Sequence, residues 1–127
     1  MAHWIRIEHQ GKTGFGTLQD GIVHLHMGDM FAGATPTGET VPLAEARVLT
    51  PCVPTKMVAL WNNFRALAAK LEQAIPPEPL FLLKGNNSFH PHGEPIRVPP
   101  SYAGKVVYEG ELGIVIGKRA CAVSVAD

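Results

Sequence analysis

The stretch KVVYEGELGIVIGK, residues 105–118, decides the fold class that the sequence predicts. Its β-branched, apolar content and its length favour a β-strand over 106–117. Successive side chains of a strand point to opposite faces, so Glu109 and Glu111 would share one face of it. Two carboxylates on an otherwise apolar strand are costly unless something neutralises them, which makes the pair a candidate functional site.

Three interpretations of this Glu-x-Glu pair remain open on its spacing alone. The first is a site for a hard cation such as Mg²⁺, Mn²⁺ or Ca²⁺, because these ions prefer carboxylate oxygens. Gly110 and Gly113 would then leave room for a ligand beside the strand. The second is an edge strand with a solvated acidic face, and the third is a paired general acid and base.

Upstream of this stretch, the sequence predicts one helix between two strands. Apolar side chains recur at helical spacing at Phe64, Leu67, Ala68, Leu71 and Ile75. Asn62 or Asn63 is expected to cap the start of this helix, and Pro76 with Pro77 to end it. The flanking strands are expected at 56–61, as a buried strand, and at 80–83.

The first 50 residues predict a small β subdomain of three or four short strands. The strand-forming stretches lie at 4–7, 21–27 and 46–49, and Gly11, Gly14 and Gly16 flank the expected bends. Residues 34–40 are expected to form a loop because they combine proline and glycine. The predicted fold class is therefore β-rich α+β, with one unit over 1–50, a boundary at 51–55 and a second unit over 54–127.

The overall composition excludes several classes of protein. The 127 residues carry 11 basic and 11 acidic side chains with no run of either sign, which argues against a nucleic-acid partner. No apolar stretch approaches the roughly 20 residues that cross a bilayer, and the first residues lack the pattern of a secretory signal. Two cysteines fit a reducing compartment, so we expect a cytoplasmic protein without a membrane partner.

The histidines offer a weaker metal signal than the glutamates. His24 and His26 would share a strand face and, with His3 or His9, could bind Zn²⁺ or Ni²⁺. No cysteine or carboxylate accompanies them at ligand spacing, so a half-exposed strand face is the favoured interpretation. His90 and His92 lie in a turn-rich loop, where a ligand or catalytic role is a minor alternative.

Three motifs, in order, resemble the fumarylacetoacetate hydrolase family. Residues 105–118 look like the YEGEL…VIGK core of that family, 61–69 like its NYRxHAxE helix, and 78–84 like its EPxxFLKP strand. Residues 1–50 resemble the small β domain that precedes the catalytic domain in bacterial members. The resemblance implies a mixed β-roll-like fold, of which 54–127 is the first part, and usually a homodimer.

The resemblance also implies an activity and a site. Members hydrolyse, decarboxylate or isomerise small oxo- or enol-dicarboxylic acids, often in the breakdown of aromatic compounds, with Mg²⁺ or Mn²⁺ bound. By position, Glu109 and Glu111 match the two metal-binding glutamates of the family. Lys84 matches a lysine that approaches the substrate, and an ordinary surface lysine is the alternative there.

Two departures from the family pattern bear on the reaction. Leu67 stands where the family has its catalytic histidine, and Lys70 where it has the partner glutamate. Leucine cannot move a proton, so hydrolysis is less expected than enolisation. The third metal carboxylate of the family would lie beyond Asp127, so we expect the front part of a longer enzyme. The alternative is a non-catalytic chain, truncated or a pseudoenzyme, that associates with a complementary chain.

Overall fold

The computed structural model describes residues 2–126, which begin with a five-stranded antiparallel sheet. The strands are β1 (Trp4–His9), β2 (Lys12–Gln19), β3 (Ile22–Met27), β4 (Thr35–Pro42) and β5 (Arg47–Val48). Their order in the sheet is β4-β3-β2-β1-β5. The first four strands therefore form a meander, and β5 returns to pair with β1 at the opposite edge.

Two tight turns set the register of the first three strands. Gln10 and Gly11 join β1 to β2, and Asp20 and Gly21 join β2 to β3; all four residues have a positive φ, between 49° and 78°. Two-residue turns of this kind match the twist of antiparallel strands, and glycine adopts a positive φ without steric cost. The long β1–β2 and β2–β3 ladders follow from these turns.

One face of the first sheet forms its core. Because side chains alternate along β1, Ile5 and Ile7 lie on the core side and Trp4, Arg6 and Glu8 on the other. The fully buried core residues are Ile7, Val23 and Val41. A 3₁₀ helix over Leu43–Glu45 closes one end of this core, where the Leu43 amide donates to the carbonyl oxygen of Gly21 at 2.8 Å.

Gly14 and Gly16 lie inside β2, which corrects the expectation that they flank bends. A methyl group at Gly16 would overlap the carbonyl oxygen of His24 and lie 2.8 Å from its carbonyl carbon. At Gly14 the nearest atom to such a methyl group would be Leu25 Cδ2, at 3.7 Å, an ordinary contact. Only the second glycine is therefore required by the close approach of β3.

Replacing Gly16 by alanine is expected to lower the free energy of unfolding by about 1–3 kcal/mol, because the β2–β3 pair must open to admit the methyl group. Gly14→Ala is the matched control in the same strand and on the same face. Chemical denaturation of the intact protein and its two variants gives the comparison. Equal stability of the two variants would contradict the steric argument.

Residues 34–40 belong largely to β4, where the sequence predicted a loop. The strand pairs with β3, and Thr37 Oγ1 donates to the carbonyl oxygen of Leu25 at 3.1 Å. A register shift between His24 and His26 accommodates the extra residues around Gly38. Pro36 is compatible with this strand because β4 lies at the sheet edge, where a missing amide donor breaks no ladder.

The two strands predicted at 56–61 and 80–83 are confirmed. They are β6 (Met57–Trp61) and β7 (Leu80–Lys84), with Met57 opposite Lys84 and Trp61 opposite Leu80. They pair antiparallel as a separate two-stranded sheet, here called the β6–β7 hairpin although a helix lies in the connection between its strands. The prediction that β6 is buried is wrong. Most apolar side chains of this β6–β7 hairpin are exposed: Val58, Leu60, Trp61, Leu80, Phe81, Leu82 and Leu83. Side chains of a strand alternate between its two faces, so these continuous apolar runs place apolar side chains on both faces of the two-stranded sheet. A single core can cover only one of those faces.

The helix α1 spans Arg65–Lys70 and is shorter than the predicted Phe64–Ile75. It ends because Glu72 adopts a left-handed conformation with φ 53°, not because it reaches Pro76. The Gln73 amide donates to Ala68 O at 2.9 Å and the Glu72 amide to Ala69 O at 3.2 Å, the bonding pattern of a Schellman cap. No asparagine side chain caps the start, where Phe64 holds the cap position; Asn62 Nδ2 instead donates to Ala74 O at 3.1 Å.

The strand predicted over 106–117 is not observed. Residues 105–117 have no regular secondary structure, and their side chains are exposed, with Tyr108 at 98% and Leu112 at 87%. Strand propensity describes how side chains fit a paired, half-buried surface, and within residues 2–126 this segment has no strand to pair with. Glu109 and Glu111 are therefore not fixed on one strand face.

The described residues have a β-rich architecture with little helix, as the sequence predicts. Over the same residues, 2–126, no helix combines the length and the apolar content that crossing a membrane requires.

Candidate functional site

Lys84 is held at the end of the β6–β7 hairpin by the turn that follows it. A 3₁₀ helix over Asn86–Ser88 begins two residues later, and Ser88 Oγ donates to the carbonyl oxygen of Gly85 at 2.7 Å. Asn86 Nδ2 donates to the carbonyl oxygen of Thr55 at 3.1 Å, which ties this turn to the residues before β6. The ammonium group of Lys84 is exposed, so it is accessible to an anion.

Glu109 and Glu111 are exposed carboxylates two residues apart in an irregular segment. Within the described part of the chain, neither forms a hydrogen bond or an ion pair, and neither is joined to Lys84. No group among residues 2–126 therefore neutralises their charges. Their oxygens are the donor type that hard divalent cations prefer.

Among residues 2–126, no three histidine, cysteine, aspartate or glutamate side chains come together as a metal site. His26 contacts Trp4 instead, with ring centroids 4.8 Å apart and an edge-on geometry, and its Nδ1 lies 2.9 Å from the carbonyl oxygen of His24. The structure therefore does not assemble His24 and His26 with His3 or His9. Asp127, which the sequence places too close to the glutamates to be the third ligand, lies outside the described residues.

Leu67 and Lys70 lie one helical turn apart on α1. Residues three apart are neighbours on a helix surface, and both side chains are exposed, Leu67 to 44%. The two positions that the resemblance aligns with the histidine and glutamate of the family are thus adjacent and exposed. Leucine at position 67 has no group that accepts a proton.

Arg47 joins the first sheet to the loop over residues 89–96, a contact that the sequence analysis did not predict. Its Nη1 donates to Glu8 at 3.0 Å and its Nε to Glu94 Oε1 at 3.0 Å. Hydrogen bonding and charge from Glu94, with a smaller contribution from Glu8, raise the pKa of Arg47 above its usual value. No local pattern could have indicated this contact, because Arg47 and Glu94 are 47 residues apart.

His90 and His92 lie in this same loop, close to the first sheet. His90 Nε2 is 3.1 Å from the carbonyl oxygen of Glu94, which ties the ring to the backbone of its own loop. The loop thus positions both histidines beside β1 and β5. The structure does not bring them to Glu109 or Glu111 by any hydrogen bond within residues 2–126.

Two family profiles match successive parts of the chain. Residues 2–51 match the profile described as Rv2993c-like, N-terminal. Residues 56–127 match the profile described as fumarylacetoacetate (FAA) hydrolase C-terminal. The second match alone covers more than half of the chain.

Individual proteins show the same relationship. The chain is 40% identical over 91 residues to protein Rv2993c of Mycobacterium tuberculosis, which covers 72% of this chain and 34% of that protein. It is 41% identical over 73 residues to the mitochondrial oxaloacetate tautomerase fahd-1 of Caenorhabditis elegans, covering 58% and 34% respectively. The chain thus spans about a third of the length of these curated relatives.

Solved structures share the fold. An uncharacterized protein from Mycobacterium abscessus superimposes with a TM-score of 0.66 at 33% identity, over 80% of this chain and 40% of that one. The 2-hydroxyhepta-2,4-diene-1,7-dioate isomerase from Mycobacterium marinum superimposes with a TM-score of 0.57 at 22% identity, over 69% and 34%. The second likeness concerns the fold alone.

Proposed function

This chain belongs to the fumarylacetoacetate hydrolase family, and we propose that it is part of a metal-dependent enzyme that interconverts the keto and enol forms of small oxo-dicarboxylic acids. The resemblance implies hydrolase, decarboxylase or isomerase activity. The keto–enol interconversion proposed here is an activity of the isomerase type. A relative from Caenorhabditis elegans is an oxaloacetate tautomerase, which catalyses a reaction of this class.

The observation that carries this choice is the leucine at position 67. Hydrolysis consumes a water molecule, which a general base must activate. Keto–enol exchange consumes none: a base removes a proton from the carbon and an acid delivers one to the oxygen. Leu67 offers no base to activate water on the exposed face of α1, which favours a reaction that consumes no water.

Glu109 and Glu111 are the residues that would hold the divalent cation. The donor chemistry fits Mg²⁺ or Mn²⁺, since both side chains offer carboxylate oxygens that no described group neutralises. When bound, the cation would supply positive charge beside the oxo and carboxylate oxygens of the substrate, which favours the enol. The third ligand is expected from another segment of the protein, in keeping with the pattern of the family.

Lys84 is proposed to bind the second carboxylate of the substrate. The turn over 86–88 fixes the backbone next to it while its ammonium group stays exposed. A lysine is a point charge on a flexible stem, which suits a carboxylate whose distance from the reacting carbon varies among related acids. Its role is to orient the dicarboxylate rather than to transfer a proton.

A second candidate function is association without catalysis, as a subunit that completes another chain. The exposed apolar faces of the β6–β7 hairpin favour it, because contiguous apolar surface of this kind is normally covered by protein. Either a second copy of this chain, in a homodimer, or a complementary chain could cover these apolar faces. In this case the intact protein would bind oxo-dicarboxylic acids no better than it binds their monocarboxylic analogues.

The test is the rate at which the intact protein converts the enol form of oxaloacetate to the keto form, followed by the ultraviolet absorbance of the enol. With Mn²⁺ or Mg²⁺ present, we expect this rate to exceed the buffer rate by about 10²-fold or more, and to return to it when a chelator is added. An acylpyruvate, whose carbon–carbon bond must be cleaved by water, is expected to react much more slowly.

Two results would contradict the proposal. One is that the folded, metal-loaded protein converts the enol form of oxaloacetate to the keto form no faster than buffer does. The other is a protein that cleaves the acylpyruvate faster than it exchanges the enol, which would place it with the hydrolases.

A further inference from the structure

A cleft of about 490 Å³ lies between the first sheet and the loop over residues 89–96. Trp4, Ile5 and Arg6 line it from β1, residues 48–51 line its side, and the loop contributes His90, Pro91, His92, Glu94 and Ile96. Trp4 and Arg6 lie on the side of β1 that faces away from the core, and Ile5, from the core side, borders the edge of the cleft. Its volume is in the range of small-molecule sites.

The charge of Arg6 is unmatched in this cleft. Arg6 is half-buried, and within residues 2–126 its guanidinium forms only long hydrogen bonds to Thr50, 3.4 Å to the carbonyl oxygen and 3.5 Å to Oγ1. Within residues 2–126 it has no carboxylate partner. A half-buried guanidinium without a counter-charge is costly, so an anion in the cleft would stabilise it.

The neighbouring arginine shows why Arg6 is left without a partner. Arg47 takes both carboxylates of this region, Glu8 across the strand pair and Glu94 from the loop. Glu94 also lines the cleft, but its Oε1 accepts from two nitrogens of Arg47. Arg47, Glu8 and Glu94 together keep a net charge of −1, and within residues 2–126 the guanidinium of Arg6 is the cleft cation that no carboxylate contacts directly.

The other walls restrict the chemistry of the ligand. Trp4, Pro91 and Ile96 offer apolar or aromatic surface, and the histidines add polar groups. A planar guanidinium matches a carboxylate through two parallel hydrogen bonds. Phosphate groups would call for more cations or backbone amides than this cleft provides.

We propose that this cleft binds a small organic monocarboxylate with an aromatic or branched apolar body, whose carboxylate pairs with Arg6. The apolar body lies against Trp4 and the loop over 89–96. The Arg47–Glu94 contact keeps that loop over the cleft. This site is independent of the proposed metal pair and does not rest on the proposed function.

The test is calorimetric titration of the intact protein with benzoate, in a buffer that contains chelator and no divalent cation. Benzamide, which has the same ring but no charge, is the matched ligand control. We expect benzoate to bind at least about tenfold more tightly than benzamide, because the amide cannot form a charge-assisted pair with Arg6. Hydrogen-exchange protection by benzoate is expected at residues 4–6, 48–51 and 89–96.

Arg6→Gln is expected to weaken benzoate binding by about tenfold or more. Lys12→Gln, which removes an exposed cation from the neighbouring strand outside the cleft, is expected to change it less than about twofold. Arg6→Lys keeps the charge and the aliphatic stem but loses the planar fork, so an intermediate loss is expected. If Arg6→Gln does not fold, Arg6→Lys still tests whether the guanidinium binds benzoate.

Several outcomes would overturn the inference. They are equal affinity for benzoate and benzamide, unchanged benzoate affinity in both Arg6 variants, or protection confined to other parts of the protein. The absence of any benzoate binding up to its solubility limit would also overturn it.

Discussion

Replacing Glu109 by alanine, or Glu111 by alanine, is expected to remove tight Mn²⁺ binding from the intact protein and to lower kcat/KM for keto–enol exchange by about 10²-fold or more. The reason is that each substitution removes carboxylate oxygens from a site that has few of them. Within the described residues, no further histidine, cysteine, aspartate or glutamate joins the pair to replace the lost ligand.

The measurements are Mn²⁺ binding by electron paramagnetic resonance and the enol absorbance assay. Glu39→Ala is the matched control: it also replaces one exposed glutamate by alanine, but in β4 of the first sheet. This control is expected to keep both metal binding and rate. Mn²⁺ binding that is unchanged in the Glu109 and Glu111 variants would remove the metal assignment, whatever their activity.

Installing a histidine–glutamate pair on α1, by Leu67→His with Lys70→Glu, is expected to raise the rate of acylpyruvate hydrolysis by about 10²-fold or more. Positions 67 and 70 are neighbours on the helix surface and both are exposed, so the new carboxylate can orient the new imidazole. The imidazole then offers the general base that the natural chain lacks at this place.

The control for this gain is Leu67→Gln with Lys70→Glu, which has a polar side chain of similar reach that does not titrate. Both double variants lose a basic residue from the last turn of α1, so any cost to the helix is common to them. The quantity to compare is the hydrolysis rate of the two variants as a function of pH. Equal rates would show that something other than the missing base limits hydrolysis.

The apolar and β-branched stretches of the sequence predict most of the observed strands. The stretches at 4–7, 21–27, 46–49, 56–61 and 80–83 contain or overlap them, but β2 was not predicted as a strand because its glycines suggested bends. Periodicity failed where a distant or stronger interaction decided the outcome. The apolar period through Ile75 predicted a longer α1, but the left-handed Glu72 ends it. The edge position of β4 outweighed the turn propensity of Pro36 and Gly38.

Some features of the candidate site were also predictable from the sequence, and others were not. The family relationship was predictable from three ordered motifs, and the matching profile over residues 56–127 confirms it. The roles of Lys84, Glu109 and Glu111 remain predictions, because their meeting depends on how separate segments fold together. Arg6 was visible as the polar member of an alternating strand, but nothing in the sequence showed that residues 89–96 would cover it.

The strand order of the first sheet has a consequence for the synthesis of the protein. Strands β1 to β4 pair with their neighbours in the chain, and β5 needs only β1, which is already made. Low sequence separation between partners favours rapid folding, and domains tend to fold from the N-terminus as the ribosome delivers them. All residues that form the core around Val23 have therefore been synthesised by the time the chain reaches Val48. The apolar β6–β7 hairpin is synthesised afterwards, so the first sheet can fold before these apolar strands leave the ribosome.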